Sequence, residues 1–260
     1  MRRLFQHARF LFGSTGPASL DPVTGQRYGS SFPEICYEDI VSAQHALLTS
    51  LGVDRLVAVA GSSIGGFQAF QWAVTFPGFA STIIALDTAP RDTFETSASV
   101  QSLIETFSKD PNWNGEDYRA ASMTDTLTEL RIATLRSYGF EEKLGIADEE
   151  RRRTILRNTA RGWAREFDPI SLIELTRAWG AFDVENDLAK IKAPLLYVLC
   201  DTDEWFSASL GEDVMAKFRD AGVDARFHQI HSELGHYATT EEPDKWAPVA
   251  SEFLSRACSR

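Results

Sequence analysis

The stretch Val57-Ala58-Val59-Ala60-Gly61-Ser62-Ser63-Ile64-Gly65-Gly66-Phe67-Gln68-Ala69-Phe70 decides how the rest of the chain is read. A short apolar, β-branched run meets Gly-x-Ser-x-Gly and passes into an amphipathic helical pattern. This order predicts strand, sharp turn and helix, with Ser63 at the apex as the candidate nucleophile. Gly61 and Gly65 fit because so tight a turn crowds any side chain beside the serine, and glycine removes the clash. The helix that begins there aims unpaired N–H groups at the reacting oxygen, so the N–H of Ile64 is the expected first oxyanion donor. Short motifs recur by chance, and it is the strand before this one and the helix after it that give it weight.

Outward from the turn, Tyr37 to Leu51 reads as a helix with apolar positions at Ile40, Val41, Leu47, Leu48 and Leu51, closed by Gly52. Ser81 to Leu86 reads as a buried strand, so residues 37–86 give α-β-α-β and hence a mostly parallel sheet with flanking helices. Upstream, residues 8–12 suit a short strand. The run from Gly13 to Glu34, rich in Gly, Ser, Pro, Thr and Asp, is too long for a passive connection and is either a functional loop or disorder. From Arg91 to Lys190 no strand is evident and helical patterns follow one another, including Asp125 to Tyr138 and Ser171 to Trp179. The alternation resumes with a strand at Pro194 to Cys200, a helix at Leu210 to Ala221, a strand at Ala225 to Ile230 and a final helix from Pro243 to Ala257. The expected organisation is therefore an α/β core in two parts, residues 1–90 and 191–260, interrupted by a helical lid at 91–190.

The bulk composition narrows the function. At 260 residues and 43% hydrophobic content the chain can bury a substantial core. Thirty-seven acidic against 26 basic residues leave a net charge of -11, which argues against a nucleic-acid partner and against an anionic membrane surface. Cys36, Cys200 and Cys258 are far apart and form no CxxC pair, the pattern of reduced thiols in a cytoplasmic protein. Neither a signal peptide nor a spanning segment is recognisable. No His/Cys cluster has metal-ligand spacing, and no glycine loop has the dinucleotide or P-loop form.

A serine hydroxyl needs a histidine to take its proton, and that imidazole is best held by a carboxylate. Asp201 and Asp203 follow directly on the strand at 194–200, and His236 follows the strand at 225–230 in Glu233-Leu234-Gly235-His236. Both positions lie where loops leave the carboxyl ends of parallel strands, the place open α/β sheets reserve for their sites. The chain order Ser, Asp, His is that of the α/β-hydrolases. His45 falls inside a helical pattern and His228 inside a strand, while His231 is a weaker alternative to His236.

The loop Gly13-Ser14-Thr15-Gly16-Pro17-Ala18-Ser19-Leu20-Asp21-Pro22-Val23-Thr24-Gly25-Gln26-Arg27-Tyr28-Gly29, with Phe32-Pro33, resembles the long loop of the homoserine O-acetyltransferase family. The resemblance continues through Leu51-Gly52-Val53, the serine turn, Asp110-Pro111-Asn112-Trp113 with Gly115 and Tyr118, Phe167-Asp168, Asp203 with Phe206, and Gly235-His236. It implies an α/β-hydrolase fold with a helical lid. It also implies acyl transfer from acyl-CoA through a serine ester to an amino-acid hydroxyl, with no bound cofactor and with the lid helices as the surface of a homodimer. The family places its triad aspartate three residues before Phe206, which selects Asp203 over Asp201. It also uses an arginine and a tyrosine seven positions apart in the lid, matched here by Arg131 and Tyr138. Two helical turns would bring both onto one face, and an arginine fork suits an acceptor carboxylate. Arg136 serves as the control position.

Two departures from the family qualify the expectation. Family members carry earlier strands and a His-Ala-Leu-Thr-Gly-like loop that supplies the second oxyanion donor, and this chain starts after them, so the first strands are expected to be missing and a sheet edge exposed. Tyr237 stands where the family has an aspartate that binds the acceptor's amino group. The sequence thus leads to the expectation of an acetyl-CoA-dependent O-acyltransferase with Ser63, Asp203 and His236 as its triad and a small carboxylate-bearing acceptor. Its rivals are a hydrolase of the same fold and an inactive relative that acts as a binding protein.

Overall fold

The computed structural model describes residues 14–94, 96–113 and 123–258. The strand expected at 8–12, and Gly13, Gly115 and Tyr118 of the family pattern, lie outside the described residues. In chain order the helices are α1 (Tyr37–Ser50), α2 (Ile64–Thr75), α3 (Thr96–Ser108), α4 (Thr124–Ser137), α5 (Phe140–Lys143), α6 (Glu149–Glu166), α7 (Pro169–Gly180), α8 (Leu210–Asp220), α9 (Ala238–Glu241) and α10 (Ala247–Cys258). The strands are β1 (Val59–Ser62), β2 (Ile83–Leu86), β3 (Leu195–Cys200) and β4 (Ala225–Ile230). Two compact units form, one from the described residues of Met1–Ile35, Glu95–Leu135 and Ala147–Gly180, the other from Cys36–Phe94, Arg136–Ile146 and Ala181–Arg260.

The second unit holds a sheet in the order β1-β2-β3-β4, parallel throughout among the described strands. Parallel neighbours need crossovers, and α2 connects β1 to β2 as α8 connects β3 to β4. The register aligns Ser62 with Leu86, Leu86 with Val198 and Val198 with His228, so the residues that follow each strand leave the sheet along one edge. That alignment positions the site. Within β2 and β3 every residue is buried, which is why both read as unbroken apolar runs. Among the described strands β1 and β4 stand at the two edges, and Val57, two residues before β1, is 42% exposed.

Alternation divides the core between the two faces of the sheet. Ile84, Leu86, Leu196, Val198 and Ile230 pack with Ala250 of α10 and with Trp246 and Phe253. Tyr197 stands among the rings of Phe70, Phe218 and Phe227. A third cluster joins Val41 and Leu48 of α1 to Trp72 of α2. The final helix begins later than expected, at Ala247: Pro243–Lys245 form a 3-10 turn, and Trp246 leaves helical geometry. There its indole packs in the core and donates to the Thr239 carbonyl.

The first unit is helical, with Phe107, Met123, Leu127, Ala164 and Ile173 at its core. Its longest helix, α6, lies in a charge-rich stretch that gave no distinct helix to the sequence reading. Asp148 caps it by accepting from the Arg151 N–H, and Leu156, Ala160 and Ala164 bury one stripe at four-residue spacing. Helix α7 starts at Pro169, two residues before the expected Ser171, because Asp168 accepts the Ser171 N–H at 2.7 Å. The described part of the long loop is an ordered turn structure: Asp21 N–H donates to Gln26 O, Tyr28 N–H to Ser19 O, and Gly25 takes a φ of 70°.

Candidate active site

Ser63 sits immediately after β1 at φ 55° and ψ -123°, a conformation that a non-glycine residue holds only when its surroundings impose it. The surroundings are explicit. The Ser63 N–H donates to Leu86 O at 2.9 Å and to Asp87 O at 3.1 Å, while Ser63 O accepts from Gly66 N–H at 2.8 Å and Phe67 N–H at 3.2 Å. A Cβ on Gly61 would lie 1.9 Å from Gly65 O, and one on Gly66 would lie 2.4 Å from the Thr88 side chain. Among the described residues Gly65 has nothing within 4 Å of the place a Cβ would occupy, so the expectation that it relieves crowding is corrected. The turn presses the Gly65 carbonyl onto Gly61 and packs Gly66 on Thr88; position 65 itself points into open space. Ile64 is the first residue of α2, so its N–H has no acceptor within the helix.

At the ends of β3 and β4 the structure brings Asp203 and His236 together. His236 Nδ1 lies 2.8 Å from Asp203 Oδ2, with the side chains 9% and 0% exposed. The other oxygen, Oδ1, accepts the Trp205 N–H at 2.8 Å. With Nδ1 committed to the carboxylate, Nε2 is the nitrogen left for chemistry. The imidazole is walled by Tyr138, Trp205 and Phe206, with ring centroids 5.1, 6.3 and 6.0 Å away. Gly235, at φ 53°, donates its N–H to Thr202 Oγ1 at 3.2 Å, which ties the histidine loop to the aspartate loop.

The alternative residues pair with each other instead. Asp201 Oδ2 lies 2.7 Å from His231 Nδ1, but that histidine side chain is 79% exposed. Burial pushes the Asp201 carboxyl up, yet the hydrogen bonds from His231 and the Ser232 N–H outweigh it and hold the group below its ordinary value. His45 stacks on Phe76 at 4.0 Å, and His228 contacts the Lys245 carbonyl at 2.9 Å.

One acidic residue escaped the sequence reading. Asp87 follows β2 as Asp201 follows β3, at φ 43° and 0% exposure. Thr239 Oγ1 donates to its Oδ2, and Ser62 Oγ lies 3.3 Å from Thr239 Oγ1, so the residue beside Ser63 is linked to a buried acid. Among the described residues Oδ1 has no partner within hydrogen-bonding distance. Burial pushes the Asp87 carboxyl up to about 7, reinforced by the Asp203 charge and opposed by the Thr239 hydrogen bond, by His236 and by the Cys200 main chain. The available signal was an acid directly after a buried parallel strand, the same signal that drew attention to Asp201 and Asp203.

The remaining predicted residues are distributed over both units. Arg131 belongs to the helical unit, with its guanidinium carbon 5.1 Å from the centre of the Trp163 ring. Tyr138 belongs to the sheet unit and lies one residue past the end of α4, because Gly139 turns the chain at φ 78°. The helix that carries Arg131 thus stops one residue short of Tyr138. Tyr237 packs edge-on against Tyr138 at 6.2 Å and carries the Lys143 ammonium 4.5 Å from its ring centre, while Lys143 also pairs with Glu241. Arg136, the control, pairs with Glu141 at 2.9 Å on the surface.

A parallel sheet flanked by helices, with strand, strained serine turn and helix in succession, defines the α/β-hydrolase class. The α/β-hydrolase family model matches residues 13–249, and the chain belongs to that family. Within it the chain groups with the homoserine O-acetyltransferases. It is 31% identical over 257 residues to the homoserine O-acetyltransferase of Methanohalophilus mahii, covering 93% of this chain and 53% of that protein. It therefore spans about half the length of that relative. Against the homoserine O-acetyltransferase of Geobacter sulfurreducens it is 31% identical over 268 residues, covering 94% of this chain and 72% of the relative. Among solved structures, the homoserine O-acetyltransferase from Bacillus anthracis superposes with a TM-score of 0.82 at 25% identity, over 93% of this chain and 71% of the other. Esterase E22 does so with 0.81 at 27% identity, over 93% and 72%. Among the described residues no helix is long and apolar enough to cross a membrane.

Proposed function

We propose that this chain carries out serine-dependent acyl transfer from acyl-CoA, with acetyl as the acyl group, to the hydroxyl of a small carboxylate-bearing acceptor. His236 Nε2 takes the Ser63 proton as Oγ attacks the thioester carbonyl, and the Ile64 N–H receives the oxyanion. Collapse expels the CoA thiolate, which leaves with the proton from His236. The acceptor hydroxyl, deprotonated by the same imidazole, then attacks the acyl-serine, and Ser63 recovers its proton. Asp203 fixes the imidazole and stabilises its protonated form. The observation that carries this reading is the buried 2.8 Å pair of His236 Nδ1 and Asp203 Oδ2, next in chain order after the strained Ser63.

Acyl-CoA is a co-substrate here and no cofactor stays bound. On the family resemblance, Arg131 takes the acceptor carboxylate, with Tyr138 and Tyr237 as further substrate-binding residues. A cytoplasmic location and a homodimer built through the lid helices belong to the same proposal, the latter to be measured by light scattering.

Mass spectrometry after incubation with acetyl-CoA tests the assignment. Acetylation on the peptide bearing Ser63 is expected, lost in Ser63→Ala and kept in Ser62→Ala; a modified peptide that persists in Ser63→Ala would refute it. The likeness to esterase E22 favours a second reading, hydrolysis, in which water replaces the acceptor. Release of free acetate at the same rate with and without hydroxy-acid acceptors would select it.

A further inference from the structure

We propose that Asp87 is a positioning residue for the Ser63 and His236 chemistry: its main chain holds the strained serine turn, and its buried carboxyl supplies a second negative charge to the imidazole that Asp203 already holds. The inference rests on the proposed function.

The structure gives Asp87 two separate links to the site. Its carbonyl accepts the Ser63 N–H at 3.1 Å, so the φ of 55° at Ser63 is fixed in part by the backbone of Asp87, itself held by its own N–H donating to Val198 O at 2.9 Å. Its carboxyl, 0% exposed, is anchored by Thr239, whose hydroxyl also lies 3.3 Å from Ser62 Oγ. The one carboxyl oxygen so engaged leaves the other, Oδ1, buried with no partner within hydrogen-bonding distance among the described residues. A buried acid with an unsatisfied oxygen is costly to keep, and its retention beside a reactive serine calls for a role that apolar packing would not serve.

The titratable groups whose charge is felt at Asp87 are Asp203 and His236 on the loops after β3 and β4, and Tyr197 and Cys200 on β3 itself. Tyr197 and Cys200 are both raised by burial and stay neutral, so the field at Asp87 is set by Asp203 and His236. Asp203 opposes a charge on Asp87, and protonated His236 favours it. The coupling is reciprocal: an ionised Asp87 favours the imidazolium that forms as Ser63 attacks. Below its titration range Asp87 is a neutral hydrogen-bonding acid; above it, a second buried carboxylate joins Asp203 in the field of the imidazole.

The test is the rate at which a fluorophosphonate labels Ser63, followed by mass spectrometry from pH 5.5 to 9 on the intact chain. The rate for Asp87→Asn relative to the unaltered protein is expected to stay within about twofold at pH 5.5 and to fall to about one tenth at pH 9, the effect of one unit of coupling. Thr239→Val removes a hydrogen bond that favours the Asp87 anion and is expected to move this inflection to higher pH. A merely structural role would lower the rate by the same factor at every pH. A flat ratio across the range, or an inflection that Thr239→Val leaves in place should Asp87→Asn not fold, would overturn the role of Asp87 while labelling of Ser63 stood. Absence of labelling in every variant, the unaltered protein included, would overturn the proposed function and this role together.

Discussion

Replacing Asp87 by asparagine should change the pH dependence of stability in the direction opposite to that of an ordinary salt-bridged aspartate. In the unfolded chain the carboxyl titrates at its ordinary value of 3.8; in the folded protein burial pushes it up to about 7. Between those values the folded state holds one proton more than the unfolded state, so stability falls as pH rises, by about 1.4 kcal/mol per pH unit. Summed over the interval, the burden is about 4 kcal/mol at and above pH 7, and none below the ordinary value. Asparagine can accept the Thr239 hydrogen bond, tolerates the φ of 43°, and cannot ionise. It places an amide N–H₂ where Oδ1 has no partner, which costs about 1–3 kcal/mol at every pH. Urea denaturation from pH 5 to pH 8 at constant ionic strength should therefore show Asp87→Asn gaining about 3 kcal/mol on the unaltered protein across that range. Parallel stability curves for the two proteins would show that Asp87 titrates normally in the fold and would refute the reasoning.

The serine turn makes a second, steric test. Gly61→Ala should destabilise by about 3 kcal/mol or more or prevent folding, because its Cβ would lie 1.9 Å from a carbonyl oxygen, whereas Gly65→Ala should be neutral or stabilise by up to about 1 kcal/mol, as measured by thermal unfolding. Asp203→Asn should slow Ser63 acylation by about 10³- to 10⁴-fold, while Asp201→Asn, which disturbs the exposed His231 pair and the bond from the Ser232 N–H, should alter the burst rate with a chromogenic acetate ester less than about threefold. At position 237, a neutral ring with the Lys143 ammonium 4.5 Å away should disfavour an ammonium on the acceptor, so hydroxy acids without an amine should outcompete homoserine by at least about tenfold in kcat/KM. Homoserine as the better acceptor, with no gain in Tyr237→Asp, would show that Tyr237 does not set the specificity.

Much of the fold was legible because its signals are local. The four described strands were all anticipated, and β2 and β3 read most clearly because both faces are covered. The serine turn was legible for the same reason: a strand, five residues and a helix hold most of the physics that bends the backbone at Ser63. The failures are equally physical. Glycines at 61, 65 and 66 look alike in sequence, and only the contact made by each absent Cβ separates the two that are sterically required from the one that is not. Helix α6 was hidden by its charge, since three buried positions at four-residue spacing suffice to hold a long, otherwise solvated helix.

Asp87 marks the deeper limit. Its neighbours Ile83 to Leu86 announce a buried strand, and an acid after such a strand ordinarily points into water at the mouth of the sheet. Whether it does so here is decided by Thr239, 152 residues later, which covers the carboxyl and donates to it. The same distant residue reaches back to Ser62, one position before the serine turn. The elbow is thus local in its backbone and nonlocal in its electrostatics. A sequence motif captures the first because it fits within five residues; the second exists only once β2 and the loop after β4 have been brought together. For that reason chain order pointed to His236 and to Asp201 or Asp203, and the family resemblance chose Asp203, whereas Asp87 had to be found by its burial.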